Sequence, residues 1–279
     1  MIGKVIYTWK TTYSSIWYDG KMMEFAIGKE YDLPIERCVE LIQTGKFIPG
    51  NSETFERIKS MYCSIKYKPI EGMLAGQDCY IIGSGSSLKG FDFGKIEGKG
   101  FILAINHGAK YCKSDAVIFM DEQFVETSKE FLQNYKGIIF AGWQSNYHRK
   151  ANTSAKVYYF TARSHKVYEG KLGNNLYEGL YDTGSTGMCA INLALLMKAR
   201  TIYLLGYDMN HETKGAKHFY NDDGIDMYGN EGVYKNGAKL DNIIKGIEQY
   251  YGQYTNIINC SKLSKINCFK KLYEMEMAG

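Results

Sequence analysis

Short apolar runs recur along the chain from residue 79 onward, separated by segments whose apolar residues follow a helical period. The runs contain few alternating polar residues, as expected for strands buried on both faces of a parallel sheet. We predict strands at Cys79–Ile82, Phe101–Ile105, Ala116–Met120, Gly137–Ala141, Val157–Phe160, Thr201–Leu205 and Asn256–Cys260. Helices are predicted at Gly187–Lys198 and Leu240–Tyr251. The alternation indicates an α/β fold with a Rossmann-like, doubly wound and mostly parallel sheet.

The first fifty residues follow a different pattern, which predicts a small β-hairpin plus helix module. It has a hairpin turn at Asp19-Gly20, a helix from Pro34 to Gly45 and three strands, Lys4–Trp9, Ser14–Tyr18 and Met22–Ile27. The chain is thus divided into this module (1–50), a connecting helix or linker (51–77) and a Rossmann-like nucleotide-binding transferase domain (78–279). The module resembles a short unit at the front of many tailed-phage proteins, which implies a phage-encoded protein. An ordinary β-hairpin plus helix used for docking is an equally good interpretation.

Composition and charge exclude some classes of ligand and location but do not identify a particular partner. The 34 basic and 30 acidic residues give a formal charge of +4 with the signs interspersed, so nucleic acid is not the expected ligand. The sequence has no signal peptide and no apolar run long enough to span a membrane, which predicts a cytoplasmic protein. The cysteines form no Cys-x-x-Cys pair, and reduced thiols are expected. No cofactor or metal is predicted, and the oligomeric state, a homo-oligomer included, is left open.

A glycine-rich loop after the first strand of the large domain is the strongest local signal. It offers four candidate phosphate ligands at a strand-to-helix turn: Gly83, Ser84, Gly85 and Ser87. A turn that needs glycine for geometry alone is an equally good interpretation. Leu88 replaces the third glycine of a dinucleotide loop and no Gly-Lys-Ser/Thr follows, so neither dinucleotide nor triphosphate loops fit. Asn106, ending the second strand, suits a ribose hydroxyl or pyrimidine edge, which favours a single nucleotide.

Five blocks of the sequence carry a family resemblance: residues 81–92, 104–107, 116–121, 183–190 and 202–208. In order and spacing they resemble the bacterial CMP-sialic acid-dependent sialyltransferases of glycosyltransferase family 42. The last two blocks also resemble motility accessory factors and archaeal hydroxymethylpterin pyrophosphokinases. The resemblance covers roughly residues 78–260 and implies a single Rossmann-like domain of the glycosyltransferase-A variant that acts on a nucleotide-sugar.

The resemblance also implies roles for individual residues. The nucleotide-binding set that it implies is Gly83, Ser84, Gly85, Ser87, Asn106, Gly206 and Asp208. The implied contacts with the donor sugar are Asp121, Ser185 and Thr186. Tyrosine hydroxyls rather than a metal steady the leaving phosphate in that family, and the catalytic candidates here are Tyr207, Tyr220, His218 and His211. Asp121 replaces an amide of the family, so the donor sugar need not be sialic acid.

The chain departs from the family at the general base. The stretch 232–237, where the family has a histidine, contains none, so His218 and His211 are the nearest replacements, although a solvated loop histidine is the simpler interpretation. The first hypothesis is a metal-independent glycosyltransferase with a nucleotide-sugar donor, CMP-linked, and a hydroxyl acceptor. The alternatives are a Mg²⁺-dependent pyrophosphokinase-like enzyme and a non-catalytic phage interaction or virion-associated protein that retains the fold.

Overall fold

A computed structural model of the chain describes residues 2–7, 13–18, 21–26, 28–34, 37–38, 41, 47–51, 53, 70–142, 145, 147, 153–160, 162–164, 176, 179–182, 184–210, 218–220 and 237–272. Candidate base His211, the hairpin turn at Asp19-Gly20 and most of the predicted connecting segment 51–77 lie outside these residues. Within the described part, no helix is both long enough and apolar enough to cross a bilayer.

The N-terminal residues form two small antiparallel sheets. Their strands are β1 (Ile2–Tyr7), β2 (Tyr13–Tyr18), β3 (Lys21–Ala26), β4 (Glu30–Pro34) and β5 (Phe47–Pro49). The predicted hairpin is confirmed as β2 and β3, whereas β4 and β5 flank β1 in a sheet that the sequence did not predict. Arg37, Cys38 and Leu41, within the predicted helix, are helical, but the prediction that this helix begins at Pro34 is wrong. Pro34 ends edge strand β4 opposite Ile2, where a missing N–H is tolerated.

An eight-stranded sheet, parallel at every pairing, forms the centre of the molecule. The remaining strands along the chain are β6 (Cys79–Ile82), β7 (Phe101–Ile105), β8 (Ala116–Phe119), β9 (Ile138–Gly142), β10 (Val157–Phe160), β11 (Ala162–Ser164), β12 (Leu180–Asp182), β13 (Ile202–Leu205), β14 (Ile257–Asn259) and β15 (Lys270–Lys271). The order across the sheet is β10-β9-β8-β7-β6-β13-β14-β15, and β11 pairs separately with β12. All seven predicted strands are confirmed, which supports the predicted Rossmann-like sheet.

Helices cover both faces of this sheet, which confirms the doubly wound prediction. They are α1 (Glu122–Thr127), α2 (Lys129–Asn134), α3 (Thr186–Leu196) and α4 (Gly237–Tyr251). Along β6, Cys79 and Ile81 join the buried cluster under α3 and α4, whereas Tyr80 and Ile82 join the cluster under α1 and α2. Each strand is therefore apolar at successive positions because it is buried on both sides. Helices α1 and α2 were not predicted, because each has only 6 residues, too few to show a helical period.

The strand order creates a topological switch point next to β6. The chain leaves β6 to build β7 to β10 on one side, and then returns to place β13 against the other side of β6. Ile82 pairs with Leu205 at the carboxyl ends of β6 and β13. Open α/β sheets bind their ligands at such a point, so the loops after these two strands define where a site is expected.

Candidate functional site

The loops that follow β6 and β13, residues 83–88 and 206–208, pack directly against each other. We call this contact the switch-point junction. Gly85 donates its N–H to the carbonyl of Gly206 at 2.9 Å, and a Cβ on Gly85 would lie 2.5 Å from Asp208 Cγ. A Cβ on Gly83 would lie 2.6 Å from the same carbonyl. The glycines are therefore required by the geometry of the junction, whatever else the loop binds.

Asp208 accepts hydrogen bonds from groups that were predicted to bind a phosphate. Its side chain, in a residue only 6% exposed, accepts the Ser87 N–H at 2.9 Å and the Ser87 hydroxyl at 2.5 Å. The Ser86 hydroxyl lies 3.4 Å from the same carboxylate. Within the described residues the N–H groups of Ser84 and Ser86 donate no hydrogen bond. The backbone N–H groups of this loop that remain available to bind an anion are thus those of Ser84 and Ser86, not that of Ser87.

Asn106 stands beyond the carboxyl end of neighbouring strand β7 with a strained backbone. Its φ is +48°, a left-handed value that asparagine tolerates better than most residues. Its Nδ2 lies 3.4 Å from Asp121 Oδ2, which follows strand β8. Its Oδ1 is buried and, among the described residues, receives no hydrogen bond. A buried acceptor left in this way is costly unless a ligand or water satisfies it, which keeps Asn106 as a candidate ligand contact.

His107, next to Asn106 in sequence, is buried at the same end of β7 and was not predicted to be a site residue. It is 1% exposed, packs edge-on against Phe124 at 4.9 Å, and its Nε2 lies 3.4 Å from Thr127 Oγ1. Burial, with smaller contributions from Lys110 and His218, lowers the pKa of His107 to about 4. The ring is therefore neutral at pH 7, and its Nδ1 has no partner within the described part of the chain.

A short aromatic segment, residues 218–220, lies against the glycine loop. Phe219 donates its N–H to the carbonyl of Ser84 at 3.1 Å. His218 is 8% exposed and stacks on Tyr220 at 5.2 Å, and Tyr220 in turn stacks on Tyr111 at 5.3 Å. His218 is therefore buried beside the loop, and the interpretation of it as a solvated loop histidine is wrong.

Tyr207 faces the core rather than the edge of the sheet. It is 2% exposed, and its hydroxyl donates to the carbonyl of Gly187 at 3.0 Å in the first turn of α3. Its N–H donates to Ser261 Oγ at 2.7 Å. Burial raises the pKa of Tyr207 well above its usual value, so the hydroxyl stays protonated. This arrangement fixes α3 to the end of β13.

The start of α3 forms a second polar turn, residues 182 and 184–187, which we call the helix-start turn. Ser185 caps the helix by accepting the Gly187 N–H at 3.2 Å. Asp182 Oδ1 accepts the N–H groups of Gly184 and Ser185, each at 2.6 Å. Thr186 is buried at the first helical position. The donors predicted for a sugar or phosphate are therefore partly used by the turn itself.

Several elements bring the predicted residues to one edge of the sheet. The junction carries Gly83, Ser84, Gly85, Ser87, Gly206 and Asp208, and Asn106 and Asp121 follow the next two strands. Helix α3 reaches the same region, since Cys189 Sγ lies 3.5 Å from Met120 Sδ, one residue before Asp121. Among the described residues, no group of three or more His, Cys, Asp or Glu side chains could hold a metal ion.

The comparisons with known proteins give a weak structural similarity and nothing more. No protein-family profile and no curated protein matches the chain. The sialyltransferase CstII from Campylobacter jejuni, in complex with the substrate analogue CMP-3FNeuAc, is 15% identical with a TM-score of 0.45. A Cst-II variant in complex with CMP is 15% identical with a TM-score of 0.43. Each comparison covers 73% of this chain and 88% of the other. Similarity at this level decides neither the family nor the activity.

Proposed function

We propose that the crevice at the switch point binds a CMP-linked sugar and that the protein transfers this sugar to a hydroxyl acceptor. One observation carries the proposal: unsatisfied donors and an unsatisfied acceptor lie on adjacent strand ends. The donors are the N–H groups of Ser84 and Ser86, and the acceptor is the buried Oδ1 of Asn106. A nucleotide offers the complement of both, because it joins an anionic phosphate to a base and ribose that carry donors.

The phosphate is proposed to lie on the Ser84 side of the loop. Asp208 would repel a phosphate placed on Ser87, and it already holds the donors of that residue. Ser87 and Asp208 then act as positioning residues that keep the loop in place. Backbone N–H groups fixed in this way stabilise the charge that develops on a departing phosphate, and the proposed reaction needs no metal ion for that step.

The nucleoside preference follows from Asn106. Its free Oδ1 can accept from an exocyclic amino group, which cytosine carries at the position where uracil has a carbonyl. Asp121, which is next to Asn106, can accept from sugar hydroxyls and would repel a sugar carboxylate. We therefore propose a cytidine monophosphate donor whose sugar is neutral rather than sialic acid, with Ser185 and Thr186 near the sugar.

We propose His218 as the general base, with His211 as the alternative. In this step the imidazole takes the proton from the acceptor hydroxyl while the acceptor oxygen bonds to the anomeric carbon. The bond from that carbon to the phosphate oxygen breaks, CMP leaves, and the configuration at the carbon inverts. Burial of His218 beside Ser84 supports this assignment, because its neighbour Phe219 contacts the phosphate-binding loop directly. Tyr220 is proposed to position His218 by stacking.

A thermal-shift titration of the full chain with CMP, CDP, UDP, GDP and ATP, each with and without Mg²⁺, tests the proposal. We expect CMP to raise Tm without Mg²⁺, because a ligand at 100 times its Kd stabilises the folded state by about 2.7 kcal/mol. Stabilisation by ATP with Mg²⁺ alone would instead favour the pyrophosphokinase alternative. No shift with any nucleotide would favour the non-catalytic alternative.

A matched pair of amide variants locates the site. Asn106→Gly keeps a residue that tolerates the positive φ but removes the acceptor, so the CMP shift should be lost. Asn134→Gly removes an amide that bonds the Glu130 carbonyl on α2, and the CMP shift should persist. An unchanged CMP shift in Asn106→Gly would contradict the assignment.

A further inference from the structure

A groove of about 570 Å³ lies away from the switch point, between the connection that follows β7 and helices α1 and α2. The residues that matter for its chemistry are Lys110, Ser128, Phe131, Asn134, Tyr135 and Lys136. Glu130 also lines it. The groove thus combines two cationic side chains, one carboxylate, hydroxyl and amide groups and two aromatic rings.

Lys110 is a half-buried ammonium without an anionic partner among the described residues. Its Nζ lies 3.4 Å from the carbonyl of Thr127, which leaves further donor hydrogens unused. Burial lowers the pKa of Lys110, as expected for a cation that has lost water without gaining a countercharge. By contrast, the nearby Lys129 is exposed and forms an ion pair in which its Nζ lies 2.7 Å from Glu126 Oε2. An anion in the groove would supply what Lys110 lacks.

Ser128 provides a second and independent observation. It is 3% exposed at the break between α1 and α2, and its hydroxyl has no hydrogen-bond partner within the described residues. It does not cap α2, because its backbone has φ −130° and ψ 23° and its side chain accepts no cap bond. A buried hydroxyl without a partner is unfavourable, so a ligand group that donates to it or accepts from it stabilises the site.

Two aromatic rings complete the groove. Phe131 and Tyr135 have ring centroids 5.3 Å apart on the same side, and Tyr135 is held by hydrogen bonds to Ser114. They present an apolar surface next to the polar groups, the usual composition of a small-molecule site. A simple inorganic anion would use the lysines alone, whereas a larger ligand can also cover the rings.

We propose that this groove binds a sugar that carries one carboxylate or phosphate group. The anionic group lies between Lys110 and Lys136, the hydroxyls reach Ser128 and Asn134, and the ring packs on Phe131. Glu130 in the wall disfavours a second anionic group on the ligand. Binding here does not depend on the transferase proposal, because the groove shares no residue with the crevice.

Isothermal titration of the full chain with glucose 6-phosphate, glucuronate, glucose and inorganic phosphate tests the inference. We expect one or both anionic sugars to bind, with an affinity that falls as salt increases. Lys110→Gln should weaken binding about tenfold, the effect of one charge-assisted hydrogen bond, and Ser128→Ala about threefold. Lys129→Gln, on the same helix pair but outside the groove, should change affinity less than about twofold.

Further outcomes separate this site from the crevice. Asn106→Gly should still bind the anionic sugar, so a loss there would move the ligand to the crevice and overturn the inference. Lack of binding by both anionic sugars would overturn it as well, as would equal binding of inorganic phosphate or glucose. If Lys110→Gln fails to fold, Lys136→Gln, an exposed position, serves in its place with the same expected direction.

Discussion

The switch-point junction and the helix-start turn both use a carboxylate to satisfy backbone N–H groups, but over very different distances along the chain. Asp182 accepts from residues 2 and 3 positions away. Asp208 accepts from Ser87, 121 positions away. The first contact forms whenever its own turn forms, whereas the second exists only once β6 and β13 are paired. The junction should therefore be the more vulnerable of the two, and it is also the proposed site.

The largest expected effect is a loss of folding stability in acid, because the buried, neutral His107 lies beside the switch-point junction. The pKa of His107 is lowered from 6.5 to about 4 in the folded protein, so the unfolded chain binds a proton first as pH falls. The stability linked to His107 should be full above pH 6.5 and should be lost progressively toward pH 4, by roughly 3 kcal/mol. Urea denaturation at several pH values would measure this. The variant His107→Gln should have a flatter profile, and parallel profiles would refute the role of His107.

The next largest expected loss of folding stability comes from overpacking the switch-point junction. Gly85→Ala places a Cβ 2.5 Å from Asp208 Cγ and should lower the free energy of unfolding by about 3 kcal/mol. Gly90→Ala, where φ is +78° and no atom lies within 4 Å, tests backbone strain alone and should lose about 1 kcal/mol. Chemical denaturation compares them, and an equal loss would mean that the two loops are not in firm contact.

Removal of each carboxylate compares the two regions directly. Asp208→Ala leaves the Ser87 N–H without its acceptor and should lower the free energy of unfolding by about 2 kcal/mol. Asp182→Ala opens only a local turn and should lose about 1 kcal/mol. Denaturation midpoints at a constant slope would measure both losses. The reverse order would show that the local turn is the more important of the two.

The two serines give the smallest difference in stability and a clear difference in binding. Ser87→Ala and Ser185→Ala should each lose about 1 kcal/mol, one from the bond to Asp208 and one from the helix cap. Under the proposed function, Ser87→Ala should also weaken CMP binding severalfold, because the loop keeps its backbone bond to Asp208 but loses the hydroxyl bond that helps to hold it in place. CMP lacks the donor sugar that would reach Ser185, so titration with CMP should find the affinity of that variant unchanged.

The sequence predicted the sheet well and the short elements poorly. Strands such as Ile202–Leu205 are apolar throughout because both of their faces are covered, and that pattern is visible without a structure. Helices α1 and α2 have too few turns to display a period. The predicted helix start at Pro34 failed for a different reason, because pairing of β4 with β1 overrides the local preference of proline.

The candidate site was predicted at the level of segments but not of atoms. The loop at Gly83, Asn106 and Asp208 do lie on neighbouring strand ends, as the order of strands and glycines implied. The particular donors were different, since Ser87 is engaged with Asp208 and Ser84 and Ser86 remain. His107 gave no sequence signal, because one histidine after a strand does not reveal its burial.

By itself, the sequence determined seven of the eight strands of the central sheet, the burial of both faces of those strands and where glycine permits a close approach, because these depend on neighbours a few residues apart. The tertiary structure alone decided that Asp208 meets Ser87, that His218 is buried beside Ser84 and that Lys110 lacks an anionic partner among the described residues. Each of these depends on which strands and connections become neighbours in space, and hydrogen bonds and burial are set by that arrangement rather than by local pattern.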